Sequence, residues 1–283
     1  MTKLSLENIS YVYSAGTPYE KHALENVNIE IPSGAITGVI GHTGSGKSTL
    51  MQLLNGLEKP TSGRVLLDGV DIWEQPKKIS EVRFRVGLVM QYPEYQLFEE
   101  TVEKDIAFGP RNMKLSDDEV AGRVAEAAGF VGLSPELMKK SPFDLSGGEK
   151  RRAAIAGVMA MTPEVLVLDE PAAGLDPVGR STIFDAVERY RASTGATVLI
   201  VSHSMEDMAR ICSNMIVLSE GHVIMSGDTE SVFGRAEELT ACGLDIPEIS
   251  KLMLKLRGSG IPVSDIPHSV EGAFEILRKE FAS

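Results

Sequence analysis

The chain has 283 residues, with 28 Lys and Arg against 40 Asp and Glu and a formal charge of −12, which disfavours a broad nucleic-acid surface because neutralising phosphates takes concentrated Lys and Arg; a local basic patch at Lys150, Arg151 and Arg152 is the exception. Its two cysteines, Cys212 and Cys242, have no metal-ligand spacing, so they read as buried apolar fillers in a reducing compartment. No run approaches the ~18 apolar residues of a membrane span, and the first residues lack the apolar stretch of a signal peptide, so work at a membrane would need partners to hold the chain there.

Short apolar strands are predicted over 4–6, 23–31, 36–40 and 63–67, a mixed β region punctuated by turns. The third runs into Gly41, His42, Thr43, Gly44, Ser45, Gly46, Lys47, Ser48 and Thr49, the pattern G-x-x-x-x-G-K-[ST]. Its glycines let the backbone turn tightly round an anion, while successive N–H groups and the start of the next helix point at phosphates. Lys47 supplies charge and Ser48 a hydroxyl for Mg²⁺. A helix is predicted over 48–57, with Leu50, Leu53, Leu54 and Leu57 on one face, which completes the strand, loop and helix setting such a loop requires.

A buried strand over 86–90 ends on Gln91. The segment after it mixes Tyr92, Tyr95 and Phe98 with Glu94, Glu99, Glu100, Glu103 and Asp105. That mixture suits either a solvated acidic face or a groove for a basic helix, in which rings supply buried area and carboxylates select arginine. Residues 116–140 turn helical, with Val120, Val124, Ala127 and Ala128 on one face and Pro135 opening a short helix. Residues of about 92–160 are expected as a helical subdomain inserted in an α/β core.

Ser146, Gly147, Gly148 and Glu149 follow Leu145 and precede an apolar run from Ala153. S-x-x-E is a helix-starting capping box, which accounts for Ser146 and Glu149. It does not account for paired glycines, which make sense where a phosphate approaches bare backbone. Strand 165–168 then delivers Asp169 and Glu170 to its C-terminal edge, where ligands of open α/β sheets bind. Adjacent strand residues point to opposite sides, so one carboxylate can hold Mg²⁺ while the other acts as general base toward water. A helix over 180–190 and a strand over 197–201, with His203 just beyond, continue a βαβ succession, and short strands follow near 215–218 and 222–225. In the tail, Ile249, Leu252, Met253 and Leu256, and then Val270, Ala273, Phe274, Leu277 and Phe281, fall at helical spacing.

Together the phosphate loop, Gln91, the 145–149 motif, the 165–170 strand with its carboxylates, the turn Ala173, Gly174, Leu175, Asp176 and His203 resemble the motif set of ATP-binding cassette (ABC) ATPases. The resemblance covers about 1–235. It implies an α/β P-loop NTPase fold of ABC type: a mixed β region, a parallel-sheet core, an inserted helical subdomain, and a small helical tail over 236–283 for which dimerisation is one open role. In that family two cassettes pack head to tail, each ATP lying between one subunit's phosphate loop and the other's signature, here Ser146 to Glu149. The resemblance further implies Glu170 as catalytic base, Asp169 with Ser48 and Gln91 around Mg²⁺, His203 on the γ-phosphate and Asp176 at the dimer seam. An early aromatic stacks on adenine in this family; Tyr13 matches that spacing, and Tyr11, on the same strand face, competes with it.

More narrowly, residues 91–109, 145–160 and 169–177 are similar to ATPases of energy-coupling factor (ECF) importers of vitamins and metals, above all to the second of their two ATPase subunits. That implies three partners: a second ABC ATPase, paralogue or self, a transmembrane coupling subunit and a substrate-binding membrane subunit. It also implies a peripheral position on the cytoplasmic membrane face. From the acidic, aromatic stretch after Gln91 we further expect Glu94, Glu99 or Glu100 to pair with an arginine on a cytoplasmic helix of the membrane subunit. Two departures, Glu149 where Gln is common and Ala172 where Thr is common, leave the general reaction intact and bear on how fast this signature's site turns over. Alternatives are another ABC importer ATPase, including the homodimeric cobalt or nickel type, and a soluble ABC protein of DNA repair or translation. A sensor without turnover is disfavoured by the intact Glu170 and His203.

Overall fold

A computed structural model describes residues 2–281. Strands β1 (Leu4–Tyr13), β2 (Lys21–Ile31), β4 (Ser62–Leu67) and β5 (Val70–Asp71) form an antiparallel sheet in the order β2-β1-β4-β5. Strand β3 (Ile36–Ile40) leaves this run for a second sheet, where it pairs in parallel with β8 (Thr197–Val201) and β9 (Asn214–Ser219). The second sheet is completed by β6 (Val86–Val89), β7 (Val165–Asp169) and the antiparallel edge strand β10 (His222–Asp228), in the order β10-β9-β3-β8-β7-β6.

Strands β3, β7 and β8 are buried at every position, the pattern of a parallel sheet covered on both faces. Their side chains alternate between two cores. Val165, Val167, Leu199 and Val201 pack with helix α1 (Lys47–Leu54) and the antiparallel sheet. Leu166, Leu168, Val198 and Ile200 face the opposite layer, which holds α7 (Pro177–Thr194) and the helices inserted between β6 and β7. Helix α1 is shorter than the spacing predicts: Gly56 turns left-handed at φ +68°, the chain leaves the helix after Leu54, and Leu57 lies 42% exposed. Helix α7 starts earlier than predicted, because Pro177 is pre-set for a first helical position and Asp176 caps it.

Between β6 and β7 lie α2's successors α3 (Val102–Asn112), α4 (Asp117–Val131), α5 (Pro135–Met138) and α6 (Gly147–Met159), with α2 (Ile79–Arg85) preceding β6. Helix α4 starts on a complete Ser116/Glu119 capping box and buries Val120, Val124, Ala127 and Ala128, as its periodicity predicts. After β8 come α8 (Met205–Ile211), α9 (Thr229–Gly234), α10 (Ala236–Ala241), α11 (Glu248–Gly258) and α12 (Val270–Phe281). The tail shares the main core through Met253, Ile266 and Ala273, and it is tied to α8 where the Glu248 N–H donates to Glu206 Oε1 at 3.0 Å. The predicted apolar faces are only partly used: Leu252, Val270, Phe274 and Phe281 point outward. Cys212 is buried, and burial pushes its thiol pKa up; Cys242, expected as a filler, is exposed.

Candidate active site

Because β3, β8, β7 and β6 run parallel and adjacent, their C-terminal ends open on one edge of the sheet. The phosphate loop follows β3, His203 follows β8, Asp169 and Glu170 end β7, and Gln91 follows β6. Four distant sequence signals therefore meet at the edge where such sheets bind ligands. A cleft of about 330 Å³ lies there, lined by Thr43, Gly44, Gly46, Lys47, Ser48 and Thr49 on one side and by Gln91, Asp169, Glu170 and His203 on the other. Tyr13, Lys21, Ala23 and Val201 complete its wall. Lys21 carries no motif signal; it reaches the cleft because it is Tyr13's partner in the β1/β2 register.

Of the two tyrosines, only Tyr13 lines the cleft. Its hydroxyl lies 2.9 Å from Thr49 Oγ1, whereas the Tyr11 hydroxyl donates to Glu58 at 2.6 Å and its ring is buried. The rings meet edge to face at 4.8 Å, so strand alternation does put both on one face.

Gly41 and Ser45 are buried behind the loop rather than facing the cleft. Lys47 Nζ donates to the carbonyls of Gly41 and His42 at 2.7 and 2.9 Å, so the loop is closed round its own lysine. The loop tolerates no side chain at its two pattern glycines. A Cβ on Gly41 would stand 2.3 Å from the Leu218 carbonyl oxygen, and one on Gly46, held at φ +103°, would stand 2.5 Å from that of Ala23.

Burial lowers the Lys47 pKa, against the opposing pull of the Glu170 and Asp169 charges. Burial raises that of Asp169, opposed by its hydrogen bond with Ser48 and by the Lys47 charge. Glu170 is pushed up to about 7, first by burial and then by the neighbouring Asp169 charge. It sits at φ +52°, its N–H bonded to the Val201 carbonyl at 3.1 Å. A non-glycine residue keeps that left-handed conformation only where its surroundings over-determine it. His203 Nε2 is 3.3 Å from Glu170 Oε1, yet that oxygen has no hydrogen-bond donor among the described residues. Burial, and then Lys47, lower the His203 pKa, which favours the neutral imidazole. The cleft therefore holds a carboxylate with a near-neutral pKa and one buried, unpartnered oxygen, beside a lysine and a neutral imidazole.

Among the described residues no cluster of three or more His, Cys, Asp or Glu could hold a metal by itself. Asp169, Ser48 and Gln91 offer a carboxylate, a hydroxyl and an amide oxygen on one cleft. That donor set fits Mg²⁺, which binds through one or two carboxylates together with waters and substrate phosphates.

The second glycine motif lies on a different surface. Ser146 caps α6 and Glu149 completes the box: Glu149 Oε2 accepts from Ser146 N–H at 2.8 Å and from its hydroxyl at 2.7 Å. Both sequence readings are compatible with this geometry, because Gly147 and Gly148 serve no packing need. A Cβ on Gly147 would meet nothing within 4 Å and one on Gly148 only Leu175 Cδ2 at 4.0 Å. Gly147 and Gly148 line an open cleft of about 760 Å³ with Gly174 and Asp176, and it shares no residue with the first cleft. Asp176 also caps α7, accepting from Gly179 N–H at 2.6 Å.

Two expectations are corrected on this side. Arg151 is no part of a surface basic patch: it is 3% exposed and donates to both carboxylate oxygens of Glu94 and to the Ala173 carbonyl. Glu94 is consequently committed within the chain, and Arg151 outweighs burial to hold its pKa below the usual carboxylate range. The signal was present, since Arg151 lies four and eight residues before the buried Ile155 and Met159, on the core face of α6. Glu100 pairs with Lys104 one turn on, at the exposed surface. Beside them Phe98 and Phe108 meet edge to face at 5.0 Å over a groove of about 330 Å³ that reaches Phe84, Leu97 and Met161.

A family model described as "ABC transporter" matches residues 24–173, and a shorter stretch, 140–208, matches one described as "AAA domain, putative AbiEii toxin, Type IV TA system". The chain is 52% identical over 277 residues to the energy-coupling factor transporter ATP-binding protein EcfA2 of Clostridium acetobutylicum, covering 97% of each chain. It is 49% identical over 276 residues to the protein of the same name from Caldanaerobacter subterraneus subsp. tengcongensis, covering 97% of this chain and 96% of the relative. Among solved structures it superposes on cbiO1 from Clostridium perfringens, part of the ABC transporter complex cbiONQ, with a TM-score of 0.75 at 42% identity over 88% of this chain and 98% of that one. A dimeric ATP-binding cassette, MJ0796, in a post-hydrolysis state with ADP and Pi, gives 0.72 at 27% identity over 80% and 98%.

Proposed function

The chain belongs to the ABC transporter family of ATPases, and on that premise we propose that it is the ATP-hydrolysing subunit of an ECF importer, driving uptake of a vitamin or metal ion through a transmembrane partner. The observation that carries this reading is likeness over nearly the whole chain, tail included, to relatives named EcfA2. The geometry supports the chemistry. ATP phosphates sit on the loop from Gly41 to Thr49, with adenine on Tyr13. Glu170 takes the proton of the attacking water, and His203 holds the γ-phosphate. Ser48, Gln91 and Asp169 would hold Mg²⁺, which would supply charge neutralisation at the phosphates.

The second cleft calls for a second cassette, whose ATP approaches the bare backbone of Gly147 and Gly148 beside Ser146, Glu149 and Asp176. Support comes from the separation of the two clefts and from the dimeric neighbour. No helix among the described residues is long and apolar enough to cross a membrane. Attachment to the cytoplasmic membrane face therefore falls to partners: a coupling subunit, and through it a substrate-binding subunit. With Glu94 committed to Arg151, the groove of Phe98 and Phe108, which Asp105 also lines and which Glu99 and Glu100 follow in sequence, is the docking surface for a basic helix of the coupling subunit.

A second reading, a cobalt-type importer with one kind of cassette, is favoured by the likeness to cbiO1. Co-purification from detergent-solubilised membranes, with every partner identified and uptake measured in vesicles, tests both. Two different cassettes with two membrane proteins are expected; a single kind of cassette supports the second reading. A chain that purifies alone and hydrolyses ATP at full rate without partners would overturn both.

A further inference from the structure

Arg151 joins two regions that the nucleotide chemistry leaves separate. Its Nε donates to Glu94 Oε2 at 2.9 Å and its Nη2 to Glu94 Oε1, while Nη1 donates to the Ala173 carbonyl. The Tyr92 ring lies 5.7 Å from the guanidinium carbon. On its other side, the Ala173 N–H donates to the Glu170 carbonyl at 3.2 Å. A run of hydrogen bonds thus leads from Glu94, on the wall of the second cleft and two residues before Gln96 of the aromatic groove, through Arg151 and Ala173 to the backbone carbonyl of Glu170.

A backbone outlier lies near one end of this run and another at its other end. Tyr92 holds φ +55° and Glu170 φ +52°, values that persist where neighbouring structure imposes them. Arg151 contacts the Tyr92 segment directly and reaches Glu170 through a single residue. Its planar fork grips both oxygens of a carboxylate while a further N–H reaches the carbonyl, a spread of fixed donors that lysine's compact ammonium does not reproduce. Because the pair is buried, the two segments cannot move apart without stranding a charge.

We propose that Arg151 is a positioning residue that locks the turn behind Glu170 to the segment after Gln91, so that movement of a docked membrane helix resets the catalytic carboxylate. This rests on the transport reading above and adds the link by which docking reaches the chemistry. A clamp serving only the fold is the competing explanation.

The test uses the assembled complex in vesicles, with Arg151→Lys, Glu94→Gln and the double variant. It measures ATP hydrolysed per substrate molecule taken up, ATP affinity and melting temperature. Each single variant should raise ATP consumed per substrate by about fivefold or more, the lower end of ordinary coupling between sites. The double variant should do no more than either single, because both act through one link. ATP affinity at the chain's own phosphate loop should stay within about twofold. A lower melting temperature with an unchanged ratio overturns the proposal in favour of a structural clamp, as do single effects that add in the double variant. Glu94→Gln keeps side-chain shape and so remains informative if Arg151→Lys fails to fold. A wild-type complex that shows no ATP-dependent uptake contradicts the transport reading instead.

Discussion

The chain has two glycine-rich phosphate motifs, and they are built in opposite ways. In the phosphate loop, Gly41 and Gly46 are demanded by the chain's own backbone, which passes within 2.3 and 2.5 Å of where a Cβ would stand. In the signature, Gly147 and Gly148 face open space. One motif has its ligand site folded around it; the other withholds side chains from a surface that nothing in this chain fills. On the proposed reading half of the nucleotide contacts lie on that surface, and a protein so built would work as one of a pair.

The largest effect is expected at the chemistry of the closed half. Glu170→Gln keeps the phosphate cradle and removes the base, so hydrolysis by the assembled complex should fall by roughly 10²–10⁴-fold while ATP still binds. Retention of wild-type single-turnover rates at this site would take Glu170 out of its role. The next effect opposes stability to activity. Gly147→Ala has room and occupies a helix start, so melting should show a gain of up to about 1 kcal/mol. Hydrolysis in the complex should nevertheless fall about 10²-fold, the cost of displacing a phosphate by of order 1 Å. Gly46→Ala should do the reverse and destabilise the isolated chain by about 1–3 kcal/mol, since its φ of +103° suits only glycine. If both substitutions act on stability alike, the contrast between the motifs is lost.

The same contrast explains how much was legible in the sequence. The phosphate loop, the 165–170 strand and His203 could be placed because each ends a buried apolar run, and adjacent parallel strands bring such ends together. The capping box of Ser146 and Glu149 was legible as well, and the glycines between them have no packing role that competes with the proposed phosphate contact. Arg151 and Glu94 were misread for one reason: a charged side chain is assigned to solvent unless its partner is known, and this partner lies 57 positions away. The tail misled for a related reason. Helical spacing marks an apolar face, but it cannot say whether this chain covers it, and Phe274 and Phe281 stay exposed. Leu57 failed locally, because Gly56 ends the helix before the periodicity does.

A smaller effect separates Tyr13 from Tyr11. Tyr13→Ala should weaken ATP by about 1–3 kcal/mol, the usual worth of a base stacked on an aromatic, with little change in discrimination among purines. Tyr11→Ala should lower melting through its lost hydrogen bond to Glu58 and leave ATP affinity near wild type. Equilibrium binding of ATP and GTP to both variants decides it; the opposite pattern assigns adenine to Tyr11.

The smallest effect is pH dependence, and it sets the two halves against each other in sign. Glu170 has its pKa pushed up to about 7 by burial and by Asp169, and a base works only when ionised. Single-turnover hydrolysis should therefore rise by roughly tenfold per pH unit below 7 and level off above it, while Glu170→Gln should show no such rise. The same shift makes Glu170 a cost to folding at higher pH. The folded state binds its proton more tightly than the unfolded chain, so this contribution is fully present below the unfolded value of 4.5 and is lost as pH climbs through about 7. Glu94 has the opposite sign: Arg151 depresses its pKa, so its contribution is present above 4.5 and is lost only as pH falls through the lower folded value. At pH 8, then, Glu170→Gln should melt above wild type and Glu94→Gln below it. Melting of the isolated chain and the two variants from pH 5 to 8 checks both signs, and shifts in the same direction at pH 8 would show that Glu170 is not held in its cleft against its preference for solvent.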